Sequence, residues 1–178
     1  SIPDDNPFVK NSKAKPEIWS YGHRSVQGAA IHPETGELWI HEHGPRGGDE
    51  INIPKPGKNY GWPNASYGVH YSMLPIKDEH AEQGYEEPVY YWTPSVAPSG
   101  MLFYTGGLFP GWRGNLFVGT LAGQHLIRLS TSHDKVLSEE QLLQNTLRFR
   151  DVEQGPDGAI YLLTDEPDGK ILKLVPAG

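Results

Sequence analysis

The densest group of chemically useful side chains lies between His41 and Glu50. His41 and His43 are two residues apart, so both would project from one side of a strand, where a pair of imidazoles suits zinc. The turn at residues 44–50 combines glycines, whose flexible backbone can turn its carbonyls towards a ligand, with the carboxylates of Asp49 and Glu50. Such oxygen ligands suit Ca²⁺, and because no third ligand has a readable spacing from the histidines, calcium is favoured over zinc. Hydrogen-bonded imidazoles and a solvated acidic turn are the alternatives.

A second feature is the pair of arginines at positions 148 and 150. On a strand Arg148 and Arg150 point to one side and Phe149 to the other, so two guanidinium groups could meet one polyanionic ligand. The alternative is a solvent-facing ladder in which Asp151 is the counter-ion. Arg24, in a polar turn just before an apolar segment, is a third candidate cation that could lie at the same edge of the protein as Arg148 and Arg150.

The composition narrows the class of protein. Of 178 residues, 15 are Lys or Arg and 22 are Asp or Glu, and the net charge of −7 argues against nucleic-acid binding, which needs a basic face. The absence of cysteine excludes disulfides and thiolate chemistry.

No apolar run reaches the roughly 18 residues of a membrane span, so no membrane-spanning segment is predicted. Residues 1–7 lack the features of a signal peptide, and we expect the chain to begin inside a longer protein.

Three copies of one unit organise the chain: a glycine, one spacer and three apolar residues rich in aromatic and β-branched types, at residues 36–40, 114–118 and 158–162. Such units indicate buried strands. The last two copies begin 44 residues apart and the first two 78 apart. A repeat of this length predicts a β-propeller with one blade per copy, and so about three four-stranded antiparallel blades with Trp39, Phe117 and Tyr161 at equivalent positions.

The extra length between the first two copies falls at residues 54–98, which are polar and rich in turn-forming residues. We interpret this segment as a loop excursion that shapes a binding face. The only helix candidate is residues 138–143, with Ser138 as its N-cap, so low helix content is expected.

Several segments of the chain resemble, in the same order, those of a known family. They are residues 20–24, 27–28, 36–39, 42–52, 57–63, 95–101, 115–119 and 148–152. From about Pro16 to Pro176 the chain closely resembles the C-terminal half of the soluble pyrroloquinoline-quinone (PQQ) dependent aldose sugar dehydrogenases, the glucose/sorbosone dehydrogenase family.

The resemblance implies an all-β fold, a six-bladed β-propeller of which residues 1–178 supply about three blades as the C-terminal half of a single domain. The remaining partner would be the N-terminal half of the propeller. The implied activity is oxidation of the C1 hydroxyl of an aldose to the lactone with PQQ and Ca²⁺. Electrons would pass to an artificial or respiratory acceptor. The implied location is the periplasm or the medium.

The resemblance also implies roles for particular residues. The backbone carbonyls of Gly44 and Pro45 would bind the cofactor-associated Ca²⁺, and Glu50 with Tyr60 would serve a calcium site. The family's catalytic histidine lies upstream of the Gly22-His23-Arg24 motif, so no residue of this chain is expected to be the catalytic base and the chain alone is expected to be inactive. The implied PQQ contacts are Arg24, Ser25, Tyr71, Thr120, Leu121, Ala122, Gly123, Arg148 and Arg150.

Two positions depart from the family pattern: Ser25 stands where asparagine is usual, and Ala122 stands where a lysine is common. These departures favour one alternative, a non-catalytic propeller that binds partners or glycans. A second alternative is a calcium-dependent sugar lactonase. The lactonase needs no pair of cations, so it leaves Arg148 and Arg150 unexplained.

Overall fold

The computed structural model describes residues 1–177 and shows an all-β protein. The strands are β1 (Val26–Ile31), β2 (Leu38–Glu42), β3 (Asp49–Asn52), β4 (Tyr90–Trp92), β5 (Pro98–Phe103), β6 (Leu116–Thr120), β7 (Leu126–Ser132), β8 (Lys135–Leu142), β9 (Phe149–Gln154), β10 (Ile160–Thr164) and β11 (Ile171–Leu174). They form three antiparallel sheets, β1-β2-β3-β4, β5-β6-β7-β8 and β9-β10-β11. Two 3₁₀ helices, Ala81–Gln83 and Pro110–Trp112, are the only helices among the described residues, as the low predicted helix content requires.

The repeated unit has the same place in each sheet. Its glycine has a positive φ, which a residue with a Cβ adopts only with strain: +73° at Gly36, +82° at Gly114 and +78° at Gly158. The second strand of each sheet starts two residues later, and the second residue of that strand is Trp39, Phe117 or Tyr161. The predicted equivalence is therefore confirmed, although the third sheet has three strands rather than four in the described chain.

Two apolar clusters hold the sheets together. The first and second sheets pack through Trp39, Ile51 and Leu116, and the second and third through Phe117, Phe149 and Ile160. Successive residues of β6 belong to opposite clusters because side chains alternate across a strand. All five residues of β6 are buried, which explains the run of three apolar residues at its start.

The predicted helix at residues 138–143 is wrong, because this segment lies mostly within β8. Residues 138–142 pair with β7, and Arg128 Nε donates to Glu140 Oε2 at 2.7 Å across the two strands. A helix this short is marginal in water without tertiary support, and here the cross-strand partners favour the extended form.

The first strands of the sheets lie side by side, with β5 between β1 and β9. Antiparallel strands alternate in direction, so several connections come together at one end of the sheets, which we call the site end. It comprises residues 21–25, 43–48, 93–97, 121–125, 143–148 and 165–170, with the strand ends next to them.

The excursion between β3 and β4 also reaches the site end. Val69 N donates to the carbonyl oxygen of Arg46 at 3.1 Å, and the backbone of Gly68 lies against Gly47 and Gly48. The excursion therefore packs on the loop at residues 43–48, as its predicted part in shaping a face requires. It is shorter than predicted, since β4 and a turn lie between it and β5.

Candidate functional site

Glu42 is a well-satisfied carboxylate at the site end. It is buried, and its Oε1 lies 2.9 Å from His23 Nδ1 and accepts a hydrogen bond from Asn52 Nδ2 at 3.1 Å. Its Oε2 accepts hydrogen bonds from the backbone N–H groups of Arg24 and Ser25. Burial alone would raise the pKa of Glu42, but the hydrogen bonds from His23 and the backbone outweigh it and lower the pKa. Glu42 is therefore an ionised, fully partnered group.

Glu50 lies opposite Glu42 across the β2–β3 pair and has much poorer surroundings. Among residues 1–177 its only hydrogen-bond donor is Asn52 Nδ2, at 3.4 Å. Burial, and then the charge of Glu42, raise the pKa of Glu50 to about 8. Asn52 Oδ1 and His80 Nε2 are buried nearby without hydrogen-bond partners, the latter 3.9 Å from Glu50 Oε1. This region holds acceptor oxygens that no protein donor satisfies.

A cavity of about 10 Å³, close to the size of one water molecule, adjoins these carboxylates. Of the predicted metal ligands, Gly44, Glu50 and Tyr60 line it, and Pro45 does not. The Tyr60 hydroxyl is directed elsewhere, because it donates to the carbonyl oxygen of Ile53 at 2.6 Å. Only the ring and backbone of Tyr60 are thus close to the cavity.

Asp49, the other carboxylate of the expected calcium turn, has a structural role. Its Oδ1 accepts from Gly44 N at 2.9 Å, and its Oδ2 accepts from Ser95 Oγ at 2.6 Å, Val96 N at 2.9 Å and Ala97 N at 2.8 Å. These bonds join the loop at residues 43–48 to the loop before β5. The expectation that both carboxylates of the turn face a ligand is therefore wrong for Asp49.

The two histidines of the HEH sequence both face β5, but they do not share a site. His43 Nε2 lies 2.7 Å from the carbonyl oxygen of Pro98. His41 is completely buried against Gly28 and Ser99, neither of its ring nitrogens has a hydrogen-bond partner, and burial lowers its pKa to about 4. Within the part of the chain that the structure describes, no group of three or more His, Asp or Glu side chains is arranged to hold a metal ion.

Arg24 and Tyr71, both of them PQQ contacts implied by the resemblance, lie together. Arg24 Nη1 donates to the carbonyl oxygen of His43 at 2.9 Å, and Nη2 donates to Tyr71 Oη at 3.3 Å. The guanidinium carbon is also 5.2 Å from the ring centroid of Trp62, within range of a cation–π contact. Sequence reasoning missed Trp62 as a site residue, and only its place in the excursion, which was expected to shape the binding face, pointed to it. The neighbouring Ser25 Oγ accepts from Gln27 Nε2 at 3.0 Å.

The predicted PQQ-contacting loop after β6 lies beside the loop before β5. Leu121 N donates to the carbonyl oxygen of Ala97, and the N–H groups of Ala122 and Gly123 donate to that of Val96. Thr120 is buried, and its hydroxyl donates to the carbonyl oxygen of His125 at 2.6 Å. Thr120 therefore shapes this loop from within, while Ala122 is exposed at the site end.

Arg148 and Arg150 do meet one anion, and it is Asp165. Arg148 Nε and Nη2 donate to Asp165 Oδ2 at 3.0 and 2.5 Å, and Arg150 Nε and Nη2 donate to Oδ1 at 3.2 and 3.0 Å. Arg148 and then Arg150 lower the pKa of this carboxyl. Asp151, the counter-ion in the alternative interpretation, does not pair with them, since its Oδ1 accepts from Val152 N.

A groove extends from Arg150 to Gln27 on β1. It runs across the first strands of all three sheets, and each of these strands has a register shift there, next to Gln27, at Ser99 and Gly100, and at Arg150. β-Bulges of this kind change where a side chain points and are common beside active sites. The structure thus brings the predicted cations from two distant parts of the sequence to one end of the sheets.

These sheets and charged groups define a β protein with acidic and basic sites at one end, and the comparisons with known proteins identify its family. Residues 1–173 match the family described as Glucose / Sorbosone dehydrogenase, and the chain belongs to this family. The aldose sugar dehydrogenase YliI of Escherichia coli (strain K12) is 52% identical over 178 residues, which cover 98% of this chain and 48% of that protein.

Solved structures agree with this assignment. A crystal structure of a glucose dehydrogenase is 55% identical with a TM-score of 0.94, covering 100% of this chain and 52% of that one. The PQQ-bound form of an aldose sugar dehydrogenase from Streptomyces coelicolor is 28% identical with a TM-score of 0.72, covering 97% and 49%. The chain therefore spans about half the length of the relatives it matches. No helix in residues 1–177 has the length and apolar character needed to cross a membrane.

Proposed function

We propose that the intact protein oxidises aldose sugars at C1 to the lactone, using PQQ and Ca²⁺, and passes the electrons to a respiratory or artificial acceptor. The three sheets would be neighbouring blades of a six-bladed propeller, completed by the N-terminal half. The observation that carries this proposal is the pairing of Arg148 and Arg150 at the end of the sheets that also holds Arg24 and the buried carboxylates. The family and a relative solved with PQQ support it.

The groups around Glu50 fit a calcium ion. Glu50 and Asn52 Oδ1 are buried oxygen acceptors that lack adequate donors, and Gly44 adds backbone to the same small cavity. Ca²⁺ prefers oxygen ligands, and a cation would relieve the repulsion between Glu42 and Glu50. The proposed ligands at this cavity are Glu50 and Tyr60, the latter through its backbone. The carbonyls of Gly44 and Pro45 are proposed to bind the Ca²⁺ that accompanies the cofactor. When bound next to PQQ, Ca²⁺ would supply a Lewis acid.

The arginines fit a ligand with several carboxylates. Arg148 and Arg150 present two cations a strand spacing apart, and Arg24 is held in place by His43, Tyr71 and Trp62. Ser25 and the loop from Thr120 to Gly123 complete the proposed contacts. PQQ carries three carboxylates and would supply the acceptor for the hydride from C1 of the sugar. The chain's own residues bind and orient this cofactor.

His23 is unsuited to be the catalytic base, because it is already engaged. Its Nδ1 contacts Glu42, its Nε2 lies 2.9 Å from Ser20 Oγ, and its ring stacks on Tyr60 with centroids 4.5 Å apart. We therefore place the base in the N-terminal half and propose that residues 1–178 alone are inactive. On the same family grounds we propose export to the periplasm or the medium, which cell fractionation would test.

Reconstitution of the intact protein tests the proposed activity. Purified protein stripped of metal and cofactor should reduce a dye with an aldose only when both PQQ and Ca²⁺ are restored. The matched control is residues 1–178 alone, which should show no turnover under the same conditions. Lactone hydrolysis without PQQ would instead establish a lactonase, and PQQ-independent dye reduction would also refute the proposal.

A further inference from the structure

The arginine pair has one shared partner and one unused edge on each guanidinium. Asp165 accepts from Nε and Nη2 of both Arg148 and Arg150. A guanidinium has five N–H donors in a rigid plane, so this contact occupies one edge of it. Across residues 1–177 no protein acceptor binds Nη1 of either arginine. The carboxylate therefore holds both cations and leaves an edge of each available.

The pairing of β9 with β10 fixes the position of Arg148 and Arg150 around Asp165. In the β9–β10 pair Phe149 lies opposite Thr164 and Asp151 lies opposite Leu163, so Arg150 has no cross-strand partner and forms the bulge. Phe149, which lies between the two arginines in the sequence, is completely buried. Asp165 N donates to the carbonyl oxygen of Arg148 at 2.8 Å. The backbone of Asp165 is thus tied to the strand that carries its partners.

This geometry separates two roles for Asp165. A carboxylate that only neutralised the cations would compete with an anionic ligand for them. A carboxylate that fixes the rotamers of both side chains, and leaves Nη1 free, instead reduces the conformational freedom that they lose when the ligand binds. Two arginines and one aspartate keep a net positive charge, so attraction for an anion remains.

We propose that Asp165 is a positioning residue for PQQ: it holds Arg148 and Arg150 as one unit whose free edges receive the cofactor's carboxylates. The proposal rests on the proposed function. It concerns how the chain prepares its cations before the cofactor arrives, and it predicts that Asp165 assists PQQ binding although it has the same charge as the ligand.

The test uses Asp165→Asn and Asp165→Glu in the intact protein. The amide keeps the size of Asp165 but turns an N–H₂ group towards one guanidinium, and we expect the Kd for PQQ in the presence of Ca²⁺ to rise about tenfold, as for loss of one hydrogen bond to a charged group. Glutamate restores the charge and should recover part of the affinity. In the cofactor-free protein, NMR should show faster solvent exchange of the Nε–H protons of both arginines in Asp165→Asn.

The matched control is Asp157→Asn. Asp157 pairs with Lys173 at 2.6 Å at the other end of the same sheet, so its loss should leave the Kd for PQQ unchanged. Unchanged or tighter PQQ binding in Asp165→Asn, or unchanged Nε–H exchange, would overturn the positioning role. Failure of the wild-type protein and the control to bind PQQ would refute the proposed function itself, a distinct outcome that removes this inference as well.

Discussion

The two charged regions at the site end are built in opposite ways. The carboxylates of Glu42 and Glu50 are buried, and the second lacks donors, so repulsion and burial hold its pKa near 8. The arginines are partly exposed, and each is already paired with Asp165. The acidic region thus has acceptor oxygens that lack adequate donors, whereas the basic region is paired and still has donors to offer. A buried charge must be compensated by whatever binds, while an exposed charge can be arranged in advance.

The same contrast separates two adjacent residues. Asp49 accepts four hydrogen bonds and Glu50 accepts one long one, although both are buried carboxylates of β3. Substitution of each carboxylate by its amide should therefore change stability in opposite directions.

The largest expected effect is that of Asp49→Asn. The amide would turn its N–H₂ group towards backbone donors that Asp49 now satisfies, at a cost of about 3–5 kcal/mol in unfolding free energy, since hydrogen bonds to charged groups are worth about 1.5–3 kcal/mol each. Urea denaturation measures this loss. Asp134→Asn, in the exposed β7–β8 turn, is the control and should change stability by less than about 0.5 kcal/mol. A neutral Asp49→Asn would show that the two loops do not depend on this carboxylate.

Glu50→Gln should stabilise the calcium-free protein. Because the pKa of Glu50 is raised from 4.5 to about 8, folding takes up a proton between these pH values, and wild-type stability falls as the pH rises through this window. The amide removes this penalty, which is about 3 kcal/mol at pH 7 from 1.36 kcal/mol per pKa unit. Denaturation in a chelator should show a gain that grows with pH and levels off above about pH 8.

Addition of Ca²⁺ should make the wild-type protein more stable than Glu50→Gln. Calcium should raise the melting temperature of the intact wild-type protein and raise that of Glu50→Gln much less, because binding stabilises only the state that offers the ligand. A Glu50→Gln variant that is less stable than wild type in chelator at pH 8 would show that the acidic region, like the arginine pair, is already well satisfied without a ligand.

Arg150→Ala should weaken PQQ binding about 10- to 100-fold, the range for one charge-assisted contact. Arg128→Ala is the matched control, because Arg128 also pairs with a carboxylate, Glu140, but lies on the β7–β8 pair away from the site end. Cofactor titration of the intact protein measures both. Equal losses in the two variants would mean that net charge, rather than the arranged pair, attracts the cofactor.

The smallest effect is expected for Tyr71→Phe. The Tyr71 ring is 72% exposed and its hydroxyl makes one long contact with Arg24. An exposed hydrogen bond contributes little, so PQQ affinity should fall by no more than about threefold. Because phenylalanine keeps the ring for the proposed contact with PQQ, a loss as large as that of Arg150→Ala would show that the Tyr71 hydroxyl itself binds the cofactor.

The sequence analysis identified features that depend on neighbouring residues. The glycine-initiated units predicted the second strand of each sheet because a positive φ and an apolar triplet are local properties. Strand alternation likewise predicted that Arg148 and Arg150 point to one side, and there both contact Asp165.

Features set by distant partners were missed. Asp165 lies in the next hairpin and is aligned with the arginines only through the register of β9 and β10. The role of Asp49 depends on residues 95–97, and residues 138–142 are extended because β7 pairs with them. Local spacing carries no information about such pairings.

The most direct test is a crystal structure of the intact protein grown with PQQ and Ca²⁺, with an anomalous difference map for the metal. The account predicts a calcium peak beside Glu50 and Gly44, and PQQ carboxylates on the Nη1 edges of Arg148 and Arg150, with Asp165 still bound to Nε and Nη2. Metal between His41 and His43, or PQQ bound away from the arginine pair, would contradict it.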